Sequence, residues 1–395
     1  MKSRMSLCIL SDDYPTPNRP AMFVFVEQLV IALVDRGVDV SVIASQSLTK
    51  CLIRRLPVLP RKQVYTSPKG QTYHVYRPYS ISFGKGRQWL LKMVGAYNQH
   101  GVEKCLRKIG PQILYGHFWH QAYRLKDYAN RYHRPLFVAC GEGDDAMEQL
   151  VMSLSRTQKK ELIEAVTGVI CVSSENKRKC IEYGLADEKN IVVFPNAVDT
   201  DLFHVKPLNL ELRHLLHVND NDILLMFVGH FISRKGSGIL ARAIQMIGDP
   251  HIKVIFAGAK YRTEDDPNCD GIVFKGVIPH GDLPDYYACA DVFVLPTQGE
   301  GCSNAIVEAL SMGLPVISSV GPFNDDILNE KNSIRIDPTN VDELIAAILK
   351  MKNDHDFYQE LKNNVVSTSK SFSISERADR VLSFVRSQSE TYNRS

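Results

Sequence analysis

Twelve short, mostly apolar runs recur along the 395 residues, with segments long enough for helices between them. In the first half they are Ser6–Leu10, Val38–Ala44, Ile113–Tyr115, Leu136–Ala139, Gly168–Val172 and Ile191–Phe194. In the second half they are Ile223–Val228, Val254–Ala257, Val273–Phe274, Val292–Leu295, Val316–Ser318 and Ile334–Ile336. Runs of this kind suit strands covered on both faces, and their alternation with helices implies parallel sheets of the doubly wound type. Phe23–Leu33 is the clearest helix by its apolar spacing, and Gln71–Tyr76 alternates like an edge strand or a hairpin arm. A chain this long exceeds one ordinary core. The expected fold class is therefore α/β, with two doubly wound domains, 1–195 and 196–370, facing across a cleft, and a terminal segment 371–395 that reads as an amphipathic helix. Ligands bind such sheets outside the carboxyl ends of the strands, which is where candidate site residues belong.

The most informative strand end follows Val292–Leu295, where Gly299-Glu300-Gly301-Cys302-Ser303-Asn304 leads into a helix carrying Val307 and Leu310 on its buried side. A glycine-bearing loop that opens a helix presents free backbone N–H groups to an anion, and Ser303 suits the N-cap. Glu300 and Glu308 bracket this anion site. A carboxylate repels phosphate but accepts hydrogen bonds from sugar hydroxyls. The combination suggests a nucleotide sugar; the bland reading is a loop glycine pair beside a solvated acid.

Glu300 and Glu308, with seven residues between them, resemble the E-x7-E element of family 4 retaining glycosyltransferases. Pro195-Asn196-Ala197-Val198-Asp199-Thr200-Asp201-Leu202-Phe203 is similar to the family's P-N-G-V-D-x-x-x-F element, and Phe227-Val228-Gly229-His230-Phe231-Ile232-Ser233-Arg234-Lys235-Gly236 to its V-G-R-x-x-x-x-K-G element. Ile255–Gly258 and Gly276–His280 resemble two further strand ends, so five elements occur in the family's order. The resemblance implies the GT-B fold, in which both domains are Rossmann-like and the last helix crosses back onto the first. It also implies transfer of a sugar from a nucleotide-diphospho-sugar donor to a glycan or lipid-linked acceptor, in the manner of cell-surface polysaccharide synthesis.

The resemblance assigns Lys235 to the donor diphosphate as it leaves, Glu308 to the ribose hydroxyls and Glu300 to the transferred sugar, with the backbone of Gly301, Cys302 and Ser303 alongside. His230 stands where the family has arginine; either it binds phosphate when protonated, or Arg234 takes that role. The first domain departs further. Its first loop, Tyr14–Phe23, lacks the family's glycine pair and offers Asn18 and Arg19 instead, or forms a disordered lid. Gly141 stands where a histidine is usual, leaving Glu142 either to touch the acceptor hydroxyl or to cap a helix. His117 and His120 follow another strand and are cleft candidates, although a core histidine is an equal reading. The catalytic set is thus Lys235, Glu300 and Glu142, with no metal and no cofactor beyond the donor.

Composition narrows the setting. Nine cysteines without a C-x-x-C pair or a Cys/His cluster at zinc spacing argue for reduced thiols and a cytoplasmic location. The basic start Met1-Lys2-Ser3-Arg4 precedes too short an apolar run for a signal peptide, and no stretch approaches a membrane span. Between Lys50 and Lys108 there are thirteen Lys and Arg against the single acid Glu103, a net +12. Such a segment, with Leu52, Ile53, Leu56, Val58 and Leu59 among its cations, suits peripheral contact at the inner face of an anionic membrane, or is simply a solvated basic face. Nucleic acid is not an expected partner, since no recognised module accompanies the charge. The competing class is a non-catalytic nucleotide-sugar sensor or partner subunit, suggested by His230 and Gly141; a GT-B-like epimerase or phosphorylase is a third.

Overall fold

A computed structural model describes residues 4–20, 22–82, 87–260 and 266–394. The N-terminal residues 1–3, Ala21 and Lys85, which entered the sequence reading, lie outside the described residues. The chain divides into two compact units: residues 1–172, 176–194 and 378–395 form the first, and residues 173–175 and 195–377 the second.

The first unit holds an eight-stranded sheet in the order Ile191–Val193, Val166–Cys171, Leu136–Cys140, Ile113–His117, Ser6–Ser11, Asp39–Ala44, Thr72–Tyr76 and Lys62–Thr66. All neighbours are parallel except the last pair, which is antiparallel. Thr72–Tyr76 is therefore a hairpin arm, and its partner Lys62–Thr66 is an edge strand that the apolar-run reading did not include, because its residues are exposed or half-buried. Leu7 pairs with both Val40 and Ile113, so Ser6–Ser11 lies where the strand order reverses. The C-terminal helix runs Ile374–Tyr392, within the expected segment 371–395. From Ala378 onward it belongs to the first unit, where Phe384 packs edge-on against Phe137 and Asp379 takes a bidentate bond from Arg36.

The second unit is a six-stranded, all-parallel sheet in the order Ile272–Gly276, Ile252–Ala257, Ile223–Val228, Val292–Leu295, Val316–Ser319 and Ser333–Ile336. Its core strands Leu224–Phe227 and Val292–Leu295 are essentially inaccessible, as strands covered on both faces must be. The order reverses between these two strands, which places the residues after Val228 and after Leu295 at the topological switch point. Among the described residues no helix is long and apolar enough to cross a membrane.

Candidate functional site

The switch point of the second unit gathers the residues after its two central strands. After Ile223–Val228 the chain makes a single 3-10 turn, Ser233–Lys235, and Gly236 then enters the helix Ser237–Ile247 with φ +81°. A Cβ at Gly236 would collide with the carbonyl of Pro296, so only glycine lets the turn approach the neighbouring strand end. That approach brings Lys235 onto Glu300: its ammonium donates to Oε1, while Thr297 Oγ1 donates to the same oxygen at 3.0 Å. Arg234 donates to the carbonyl of Gly299 and lies 3.7 Å from Glu300. Lys235 and Glu300 are both largely buried, at 17% and 10% side-chain exposure, so the pair is poorly screened. His230 is exposed on the same strand end.

Glu308 lies inside the helix Asn304–Ser311 and is 6% exposed. Tyr287 donates its hydroxyl to Oε2 at 2.9 Å, and Nε2 of His280 lies 3.2 Å from Oε1. Phe203, the aromatic end of the Pro195–Phe203 motif, packs against His280 with ring centroids 5.1 Å apart. Two sequence elements thus converge to orient one carboxylate. Gly301, Cys302 and Ser303 are buried at the helix start. Ser303 occupies the N-cap position without a side-chain cap bond, and Asn196 donates to the Cys302 carbonyl at 3.0 Å, tying the Pro195–Phe203 motif to this loop. Oδ1 of Asn304 is buried and has no hydrogen-bond partner among the described residues. Burial pushes the Cys302 thiol up to about 12, so it is a packing residue and not a nucleophile.

Asn196, His280, Tyr287 and Thr297 were not in the expected site. Asn196 and His280 sit in motifs already singled out, so their signal was present without a role. Tyr287 comes from the helix Leu283–Cys289 and had no local signal.

The first-unit candidates separate. After Ser6–Ser11, Asp12 accepts from Gln121 at 2.5 Å and pairs with His120 at 2.7 Å. Burial opposes ionisation of Asp12, but the bonds from His120 and Gln121 outweigh it and hold its carboxyl below the usual range. The loop that begins at Tyr14 folds back on itself, with Arg19 N–H donating to the Thr16 carbonyl at 2.9 Å, and Arg19 pairs with Asp13 at 2.8 Å. Asn18 is exposed beside it. His117 is buried among Phe23, Phe25 and Phe118, the core-histidine reading. Glu142 is 7% exposed, and its two oxygens accept the N–H groups of Trp119, at 2.5 Å, and Gly141, at 3.0 Å. Trp119 opens the helix Trp119–Tyr132, so both oxygens of Glu142 are engaged in the helix-cap arrangement, the second of the two readings of this residue. Burial pushes its carboxyl up to about 7 against those stabilising bonds. A Cβ on Gly141 would press on the methyls of Val172 at 3.2 and 3.3 Å.

Sequence spacing also missed a cluster of three buried thiols. Cys140, Cys171 and Cys180 come from two neighbouring strands and the helix Ser174–Glu182, and their sulfurs lie within 4.8 Å of one another. Within the described part of the Lys50–Lys108 segment, exposure is uneven. Arg77 is 3% exposed, while Leu52, Ile53 and Val58 are strongly exposed.

Two doubly wound units, the second with a cation–carboxylate cluster at its switch point, are the parts of a GT-B glycosyltransferase. Solved structures agree: sucrose-phosphate synthase from Thermosynechococcus elongatus superposes with a TM-score of 0.77 at 18% identity over 97% of this chain and 99% of that one. HepE of Anabaena in complex with UDP gives 0.71 at 17% identity over 97% and 100%. The family model described as Glycosyltransferase Family 4 matches residues 22–202, and that described as Glycosyl transferases group 1 matches residues 222–354. The chain belongs to family 4 of the glycosyltransferases. It is 28% identical over 237 residues to the UDP-Gal:alpha-D-GlcNAc-diphosphoundecaprenol alpha-1,3-galactosyltransferase of Escherichia coli, a match spanning 55% of this chain and 59% of that protein. It is 23% identical over 375 residues to the putative teichuronic acid biosynthesis glycosyltransferase TuaC of Bacillus subtilis, spanning 92% and 93%.

Proposed function

We propose that this protein transfers a sugar, with retention of anomeric configuration, from a nucleotide-diphospho-sugar to a glycan or lipid-linked acceptor in cell-surface polysaccharide synthesis. The observation that carries the reading is the joining of Lys235, Arg234 and Glu300 at the switch point, with Glu308 held by Tyr287 and His280 on the adjoining helix. In this reading Lys235 exchanges Glu300 for the donor diphosphate, and Glu300 turns to the sugar hydroxyls. Glu308 accepts the ribose hydroxyls. His230 and the buried start of the helix Asn304–Ser311 add positive potential at the phosphates.

The reaction breaks the bond from the anomeric carbon to the diphosphate oxygen and forms one to the acceptor oxygen on the same face. The acceptor's proton passes to the departing phosphate oxygen. Retaining hydrolases place a second carboxylate close to the sugar as nucleophile. With Glu142 engaged as a helix cap, front-face displacement assisted by the leaving phosphate is the mechanism we favour. The cations of the site then carry the leaving-group charge without a metal. Similarity to a diphosphoundecaprenol-dependent enzyme supports a lipid-linked acceptor, and the exposed apolar residues of the basic segment support work at the inner face of a membrane from the cytoplasm.

The test is calorimetry of the purified protein against UDP, GDP, ADP and their sugar conjugates, followed by transfer assays with and without EDTA. One conjugate binding and turning over, with turnover unchanged by EDTA, is the expected result. Absence of binding to every conjugate would overturn the reading.

A further inference from the structure

The first unit contains a cavity of about 620 Å³ at the carboxyl ends of the strands Ser6–Ser11 and Asp39–Ala44. Its charged lining is unbalanced in a specific way. Each lining acid already has a partner: Asp12 is bonded to His120 and Gln121, Asp13 to Arg19, and Asp127 to Lys126. Four lining cations, Lys50, Arg54, Arg77 and Arg124, have no ion pair among the described residues.

One of these four is withdrawn from water and a second is half-buried. Arg77 is 3% exposed, and its guanidinium donates only to neutral acceptors: Gln63 at 2.6 Å, the Tyr65 hydroxyl at 2.9 Å and the Pro15 carbonyl at 3.4 Å. Arg124 donates to Gln121 at 3.1 Å, Gln99 at 3.3 Å and the Asn98 carbonyl at 3.4 Å, again all neutral, with Asp12 the acid that acts on it. A buried cation without an ion pair is unfavourable, so a fold that holds Arg77 in that state on a cavity wall, with the half-buried Arg124 on the same wall, is arranged to receive an anion. Planar guanidiniums flanked by an ammonium match phosphate oxygens in geometry and charge. Lys50 lies within the helix Leu48–Ile53 and Arg54 just after it, and the same helix exposes Leu52 and Ile53 at 82% and 80%.

We infer that this cavity is a phosphate subsite, formed by Arg77, Arg124, Lys50 and Arg54, for an acceptor that carries a phosphate or diphosphate group. The inference rests on the glycosyltransferase reading and adds the acceptor's chemical class. The phosphate belongs either to a lipid-carried diphosphate, whose chain would run past Leu52 and Ile53, or to a soluble phosphorylated glycan.

Cys51 lines the same cavity and is half-buried, which provides a local reporter. Its alkylation by iodoacetamide, followed by mass spectrometry on the full chain, should be slowed roughly fivefold by saturating inorganic pyrophosphate. Cys269, in the second unit, serves as the internal control. Protection should be lost in Lys50→Gln/Arg54→Gln, two exposed positions that can change without unfolding the chain, and in Arg124→Gln. Farnesyl diphosphate protecting at lower concentration than pyrophosphate would assign the lipid-carried source, and equal protection the soluble one. No protection by either probe, or equal protection in both variants, overturns the inference. Nucleotide-sugar binding is measured on the same samples. If it is present while protection is absent, only the phosphate subsite fails; if it is absent, the glycosyltransferase reading fails on its own account.

Discussion

The ammonium of Lys235 donates to Oε1 of Glu300 across 65 residues of sequence, joining the ends of the two strands where the second sheet reverses its order. In the function proposed above, the donor's diphosphate and sugar compete for the two halves of this pair. Lys235→Ala should therefore lower turnover by about a hundredfold or more, since one contact to a developing charge is worth roughly 3 kcal/mol. Single-turnover kinetics at saturating donor measure it. Wild-type turnover in that variant would remove the leaving-group role.

Glu308 is held from one side by Tyr287 and from the other by His280. Glu308→Ala should weaken donor binding more than loss of an exposed acid does. Tyr287→Phe, which removes one hydrogen bond worth about 1 kcal/mol, should weaken it by roughly fivefold. Calorimetric affinities for the cognate nucleotide sugar decide this; an unchanged value for Glu308→Ala would end the ribose assignment.

Glu142 makes stability depend on pH. Its folded-state pKa, pushed up to about 7, lies above that of an ordinary glutamate, so between roughly pH 4.5 and 7 the folded chain keeps a proton that the unfolded chain releases. Stability from this group is fully present below that window and falls through it, by about 3 kcal/mol at most, levelling off above pH 7. Denaturant melts of Glu142→Gln compared with wild type should show a flatter profile over that range. Identical pH slopes in the two proteins would refute the assignment.

The basic segment exposes Leu52, Ile53 and Val58 beside its cations. Replacing Arg55, Arg61 and Lys62 by glutamine, which leaves the cavity-lining Arg54 in place, should reduce sedimentation with phosphatidylglycerol vesicles and make the remainder less sensitive to salt. Equal sedimentation of wild type and variant would return the segment to a solvated face.

Each of the twelve strands read from apolar runs is present within a few residues of its expected limits, because a strand covered on both faces must be apolar along its length. Lys62–Thr66 escaped that reading because an edge strand with exposed Lys62 and Val64 needs no such run. The loop from Gly299 to Ser303 was legible because glycine spacing and a following helix are local signals. Glu142 was legible as an acid on a turn but not as the cap of a helix that starts 23 residues earlier.

Sequence alone determined the α/β class, the two-sheet plan and the identity of the motif residues, since periodicity and backbone conformation are properties of neighbouring residues. Tertiary structure decided which side chains meet. Only the sheet order brings Lys235 to Glu300, places Tyr287 and His280 on Glu308, closes three distant cysteines together and buries Arg77 without an ion pair among the described residues. Those outcomes depend on contacts between residues far apart in the chain, and the order of strands in a sheet is set by packing across the whole domain.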